Sequence, residues 1–262
     1  CSFMRTYHLT DFSEIIQKHS LYELTETELL KIGQYGNLSS FYAPFESINT
    51  EAQVILVGIC PGQVQWRNAL CEAQAGLKHN LPLDIILKRT KSTGAFSGPM
   101  RSNLIKILDH IGLHTKLGIH STQVLFHEDQ SIAHMTSLLK HCILVNGKNY
   151  AGSSPNMLNN VFLKQHIDAY FLPEISQMTS NAVYIPLGKS VSEVLYFLSS
   201  LGYLKEQQIL DGFPHPSGAN AERIKYFLEE KLASNLSNAT NPALIDEAKL
   251  KLLHKIEALD FQ

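Results

Sequence analysis

The sequence predicts an α/β protein, a three-layer α/β/α sandwich around a central, mainly parallel four-stranded sheet. Two observations carry that prediction. The short continuous apolar runs Val54-Ile-Leu-Val57 and Val183-Tyr-Ile185 are followed by Pro and Gly and read as strands buried on both faces. Between and after them, apolar residues recur at helical spacing, so strand and helix alternate from residue 54 to residue 232. In sheets of this kind ligands sit beyond the C-terminal ends of the strands. A chain of 262 residues, 44% hydrophobic and 18% charged, can bury one sizeable core.

Taken in order, residues 1–50 are expected to form a helical extension. Asp11 with Glu14, and Thr25 with Glu28, have capping-box spacing ahead of Ile15-Ile16 and Leu29-Leu30, and Gly33 reads as the stop of the second helix. After the strand at 54–57 and the Pro61-Gly62 turn, helices are expected over 65–76 and 81–87. Thr93-Gly-Ala-Phe-Ser-Gly-Pro99 reads as a loop on its Gly and Pro, leading into a helix that places Leu104, Leu108 and Ile111 on one face and stops at Gly112. Two β-like runs, 123–126 and 142–145, with a third near 135–139, precede the polar loop that starts at Asn146-Gly147. A helix then runs through Phe162, His166, Tyr170 and Leu172. The strand at 183–185 ends at Pro186-Leu-Gly188, and Ser190 with Glu193 caps a helix that turns Val191, Val194, Leu195 and Leu198 inward. A second Pro- and Gly-rich loop, Asp211 to Asn220, precedes a helix with Ile224, Phe227 and Leu228. Residues 234–240 are Ser/Asn-rich, as in a linker, and Asn241-Pro242 opens a last amphipathic helix with Ile245, Ala248, Leu252 and Ile256 in its stripe. The expected organisation is therefore an extension (1–50), a catalytic domain (51–233), and a linker with a C-terminal helix (234–262).

A formal net charge of −2 gives no global signal for a polyanionic partner. Charge is unevenly placed, however. Between Gly58 and Ile105 six basic residues (Arg67, Lys78, Lys88, Arg89, Lys91, Arg101) stand against Glu72 and Asp84, which suits either a phosphate-facing rim or a solvated basic surface. Cys1, Cys60, Cys71 and Cys142 show no C-x-x-C spacing, which argues against disulfides, zinc and an iron–sulfur cluster, so neither metal nor cofactor is expected. No run approaches the roughly 18 apolar residues of a membrane span, and a cytoplasmic monomer is expected.

Two segments stand out as sites for chemistry. Val54-Ile-Leu-Val-Gly-Ile-Cys-Pro-Gly-Gln63 and Asp211-Gly-Phe-Pro-His-Pro-Ser-Gly-Ala-Asn220 each break into Pro and Gly and then feed a helix. Such a break exposes backbone N–H groups beside polar side chains, a geometry that suits phosphate and a reacting sugar. Together they resemble the first and second motifs of the uracil-DNA glycosylase superfamily, in which a Gly-x-x-Pro-Gly loop follows the first strand and a His-Pro-Ser loop follows the last. Phe96-Ser-Gly-Pro99 is similar to that superfamily's Pro-Phe-x-Gly loop, and Pro186-Leu-Gly188 to the strand end before its last third. The likeness covers about Val54 to Lys231.

The resemblance implies a monofunctional DNA glycosylase, acting on uracil or a deaminated base in single- or double-stranded DNA. On that reading His215 donates to the base as negative charge builds on it, and Phe96 stacks on the flipped base. Pro61, Gly62, Ser217, Gly218 and Asn220 contact the DNA backbone. Base selection usually rests on an Asn carboxamide, which both donates and accepts. Asn146 fits that place, with Asn149 and Ser137 as rivals and a plain turn role before Gly147 as the alternative. The corresponding alternatives for His215 and Phe96 are a histidine in a proline-rich turn and a loop-to-core anchor. Two departures bear on the substrate. Cys60 stands where the most uracil-active enzymes carry Asp or Asn to orient water, leaving Gln63, Gln65 or Asp84 for that task and placing Cys60 against the base. Ala219 stands where many members carry a wedging Leu, leaving Arg223 or another loop to fill the gap. The small groups at Cys60 and Ala219 also suit a hypermodified base of phage DNA, such as glucosylated hydroxymethylcytosine, excised in antiphage defence. A non-catalytic reader of modified bases is the alternative from another class.

Overall fold

The structure, a computed structural model, describes residues 4–93 and 98–262. In chain order its elements are α1 (Leu9–Lys18), α2 (Leu21–Glu26), β1 (Lys31–Tyr35), β2 (Leu38–Phe41), β3 (Val54–Gly58), α3 (Gln63–Lys78), α4 (Leu83–Ser92), α5 (Gly98–His110) and α6 (Leu113–Leu117). They continue with β4 (Ala133–Ser137), β5 (Cys142–Val145), β6 (Lys148–Asn149), α7 (Val161–His166), α8 (Leu172–Ile175), β7 (Val183–Pro186), α9 (Lys189–Ser200), α10 (Ala221–Phe227) and α11 (Pro242–Glu257).

The α/β class is as expected: helices flank a parallel sheet of order β4-β3-β7. Among the described residues that sheet has three strands rather than four. The fourth position is only a parallel bridge between Tyr184 and Ile209, because the chain turns into the Asp211 loop directly afterwards. A second sheet, antiparallel and of order β1-β2-β5-β6, takes up the run at 142–145. Contacts divide the chain into two compact units. One holds Cys1–Thr50, Val57–Ala95 and Met135–Met178, and the other Glu51–Leu56, Phe96–His134 and Thr179–Gln262.

In the first unit the opening residues are not wholly helical. The caps lie earlier than expected. Asp11 Oδ2 accepts from His8 N–H at 2.8 Å to start α1, and Ser20 and Glu23 exchange bonds of 3.1 and 3.2 Å to start α2. The chain then makes the β1–β2 hairpin, and Gly33 lies inside β1 instead of ending a helix. Its missing side chain reflects a close approach, since a Cβ there would come within 2.8 Å of Phe162 Cε2 and Ser40 Oγ. Leu9, Phe12, Ile16 and Leu24 share one core with Trp66, Leu70 and Ala73 of α3. Each fully buried apolar side chain of this size contributes about 1.5–3 kcal/mol. Trp66 satisfies its ring N–H on Tyr42 O at 2.8 Å, so the first fifty residues are fastened to α3 by a polar contact as well.

In the second unit α9 buries Val191, Val194, Leu195 and Leu198, the residues that its period singles out. The run at 123–126 is part of a 3₁₀ turn, Thr122–Phe126, rather than a strand. Asp109 Oδ1 draws in Thr122 N–H at 2.7 Å and its hydroxyl at 2.8 Å, and that local bonding overrides the β-like composition. The Ser/Asn-rich stretch before α11 is pinned, because the Glu222 carboxylate accepts from Ser237 N–H at 2.6 Å and from the Thr240 hydroxyl at 2.9 Å. Asn241 caps α11 through Oδ1, and Leu252 and Ile256 face inward.

Candidate active site

In the second unit, β7 and the chain after Ile209 end beside a cleft of about 320 Å³. Gly188, Lys189, Ser192, Asp211, Phe213 and His215 line it. Its size falls within the range of small-ligand sites, roughly 300–1,000 Å³. A Cβ on Gly188 would lie 3.8 Å from His215 Cδ2, so the end of β7 and the imidazole are close neighbours.

The loop around His215 is over-determined. Ser217 N–H donates to His215 Nδ1 at 3.2 Å, the Asn220 side chain donates to His215 O at 3.1 Å, and Asn103 of α5 donates to Pro216 O at 2.9 Å. Pro216 is buried, while His215 keeps one side open to solvent. Burial of the rest of the ring lowers the imidazole pKa below its ordinary value, favouring the neutral form. With Nδ1 engaged as an acceptor, the neutral tautomer carries its proton on Nε2. His215 thus presents an uncharged N–H donor.

The base of the loop is held from below. Asp211 Oδ1 accepts from Tyr196 Oη at 2.6 Å, and Lys255 of α11 donates to Tyr196 Oη and to Ile209 O, each at 2.9 Å. Gly212 (φ 98°) runs so close to α11 that a Cβ would sit 2.7 Å from Ala248 O. Gly218 lies next to Pro99 at the start of α5. Phe96 belongs to residues 94–97, outside the described residues.

The first-motif turn lies in the first unit. Pro61 is buried and Gly62 is the N-cap of α3, its N–H donating to Gln65 Oε1 at 3.3 Å. Gln63 N–H donates to Asn149 Oδ1 at 3.0 Å, so the carboxamide that meets this turn is that of Asn149. Asn146 sits at the β5–β6 reversal with φ 51°, followed by Gly147 at φ 77°, and its N–H donates to Asn37 O at 2.9 Å. Two successive positive φ values make a two-residue hairpin turn, a conformation that Asn-Gly adopts readily. The Cys60 thiol donates to Tyr150 O at 3.7 Å, and burial pushes its pKa up to about 12, so it stays protonated and supplies neither base nor nucleophile.

Of the expected DNA contacts, Asn220 and Arg223 are already committed to partners within the chain. Arg223 donates to Asn220 Oδ1 at 3.0 Å and to Ala239 O at 2.6 Å, which ties the second motif to the stretch before α11. Ala219 and Gly218 are exposed beside them. Within the basic segment, Arg67, Lys78, Lys88 and Arg89 are exposed. Lys91 turns inward, donating to Phe45 O at 3.1 Å, and burial with Lys140 nearby draws its pKa down to about 7.

No family model matches the chain. Over 230 residues it is 35% identical to the uncharacterized protein YoxB of Bacillus subtilis (strain 168), spanning 86% of this chain and 90% of that protein. This chain belongs to the YoxB family. Among solved structures it is similar to the crystal structure of WT Pedobacter heparinus SMUG2, with a TM-score of 0.42 and 12% identity over 94% of this chain and 99% of the other.

Several residues around these two loops escape sequence reasoning. Phe213 is the aromatic ring described in the cleft, and it stands inside the motif that drew attention to His215. Asn103, Tyr196 and Lys255 carry no local signal, because each acts on a loop far away in sequence. Asn149 could have been favoured over Asn146, since Asn-Gly is itself a hairpin signal.

Proposed function

We propose that the protein is a monofunctional DNA glycosylase. Water attacks C1′ of a nucleotide swung out of the stack, the N-glycosidic bond breaks, and the bonding electrons leave with the base, so that an abasic site remains. The observation that supports this reading best is the Ser217 N–H bond to His215 Nδ1, which leaves Nε2 of this imidazole as the donor at the edge of a cleft of small-ligand size. A fixed donor placed where negative charge develops stabilises the transition state without reorganising at the moment of reaction. The three bonds that fix residues 215–217 supply that rigidity.

The remaining roles fall to other residues. Phe213, with Phe96, offers the flipped base an aromatic face. The N-terminal end of α3 goes to a DNA phosphate through the dipole of this 16-residue helix, the Gly62 and Gln63 N–H groups themselves being engaged by Gln65 Oε1 and Asn149 Oδ1. Asn149 is the positioning residue of that turn. Gln63 is the candidate for orienting water, Gln65 being held by Gly62 N–H. Uracil or another deaminated base is the default substrate.

One observation favours a second reading, a reader that clasps a modified base without cutting it. The Cys60 thiol, protonated and bonded to Tyr150 O, activates no water where a carboxylate or carboxamide would. Duplexes carrying uracil or other modified bases, incubated with the protein and then treated with alkali, separate the two. Strand breaks at the modified base are expected, reduced about 10²–10³-fold in His215→Ala, the usual effect of removing one preorganised donor. Retained binding with no break on any substrate would establish the reader, and loss of both would end the DNA reading.

A further inference from the structure

A second cavity, in the first unit, is not used by that chemistry. It has a volume of about 540 Å³ and is lined by Tyr35 and Asn37 of the β1–β2 turn, Val145 of β5, and Ser153, Ser154 and Asn160 of the following loop. The remaining lining residues, Gly36 and Pro155, are also uncharged. An ion would find no counter-charge among these residues, whereas amides and hydroxyls around one aromatic face match the edge and face of a nucleobase.

Tyr35 is the aromatic ring among the lining residues of this cavity. It is 56% exposed, yet its plane is set. It lies over Phe162 with ring centroids 6.3 Å apart and planes 10° from parallel. A ring packed against Phe162 that keeps more than half of its surface exposed is a stacking platform that loses little conformational entropy on binding. Asn160 spends its Oδ1 on capping Leu163 N–H at 3.0 Å, which leaves its NH₂ as a donor at the cavity wall.

Position supplies the second argument. Val145 pairs with Leu38 across the sheet and with Lys148 across the β5–β6 hairpin, and Leu144 pairs with Asn149. The same short hairpin therefore borders the cavity at Val145 and reaches the Gly62-Gln63 turn at Asn149, with exposed Lys148 between them. A strand whose phosphate lies at the start of α3 would pass Lys148 and run across this sheet toward Tyr35.

We propose that this cavity binds an unstacked nucleobase of a single DNA strand, with Tyr35 as its stacking platform and Asn160 as an edge donor. The inference rests on the reading that the protein engages DNA, but it does not require catalysis. It is tested with the full chain carrying His215→Ala, so that no cleavage intervenes, by anisotropy of a labelled single-stranded oligonucleotide and by 2-aminopurine placed at successive positions along it. Base stacking of this kind should make Tyr35→Ala bind about tenfold more weakly and relieve the 2-aminopurine quenching at one position, while Tyr35→Phe behaves like the parent. Because Tyr35 is exposed, its variants should keep the parental melting temperature. Equal affinity and quenching for Tyr35→Ala and parent would overturn the proposal, as would absence of DNA binding by the parent. Tyr35-dependent binding without strand cleavage by the unsubstituted protein would uphold this site and defeat the glycosylase reading alone.

Discussion

At the scale of single residues, the proposed chemistry depends on a proton that His215 must not acquire. Ser217 N–H already points at Nδ1, so protonating that nitrogen would set two donors against each other at 3.2 Å. Burial acts in the same direction, holding the imidazole pKa below its usual value near 6.5. The neutral form is therefore complete at neutral pH, and kcat/KM on a modified-base duplex should stay level above pH 7 and fall only as pH drops below 6.5. The residual rate of His215→Ala should lack that acid limb. An acid limb that persists unchanged in His215→Ala would show that neutral imidazole is not the donor. His215 is legible in the sequence because two prolines stiffen its surroundings, but the partner that fixes its tautomer is a backbone amide, which no side-chain pattern reveals. Asn149 illustrates the other limit. It acts on Gln63 from 86 residues away, and a distance of that kind is closed only by the fold.

At the scale of elements, buried strands and amphipathic helices were readable where burial on one or both faces dictates the pattern, as in β3, β7 and α9. The β1–β2 hairpin was not, because Gly33 punctuates a helix and a crowded strand alike, and only the Phe162 ring distinguishes them. The last helix reads from the sequence as an amphipathic appendage, yet α11 is what the Asp211 loop rests on. Lys255 reaches Tyr196 and Ile209, and Gly212 meets Ala248 O with no room for a side chain. A Gly212→Ala change adds a Cβ at 2.7 Å from that backbone oxygen, on a residue whose φ of 98° already suits glycine. The expected cost is about 2 kcal/mol or more, seen as a lower urea midpoint and a disproportionate loss of activity, since the displaced loop carries Phe213 and His215. Gly202→Ala is the control: it carries the same φ penalty, with φ 88° and nothing within 4 Å of the added Cβ, and should cost less stability and leave activity unchanged. Equal losses for the two would show that the contact with α11 does not position the loop.

For the molecule as a whole, acid stability should be governed by two buried histidines of the first unit. His141 and His166 are both wholly buried in the first unit, with ring centroids 6.4 Å apart and the Tyr170 ring beside each of them. His141 Nδ1 accepts from Ala43 N–H at 3.0 Å, while its Nε2 and both nitrogens of His166 have no partner among the described residues. Burial, then His166 and Lys140, holds the His141 pKa far below normal, and burial brings that of His166 to about 4. Both folded values lie below that of an unfolded histidine, so the unfolded chain takes up these protons first as pH falls. The stability they allow is complete above about pH 6.5 and is lost progressively toward pH 4, to the extent of about 3 kcal/mol for His166 alone. His166→Phe replaces a ring with two unmatched nitrogens by an apolar ring of similar shape, against Phe162 at 5.0 Å and Tyr170 at 6.0 Å. It should change stability little at pH 8, where the imidazole is neutral, and raise it at pH 5, where the parent is already losing ground. Urea midpoints at the two pH values measure this directly. Parallel acid loss in parent and variant would place the acid sensitivity elsewhere, while a variant that gains only at pH 5 assigns it to the uptake of a proton at His166.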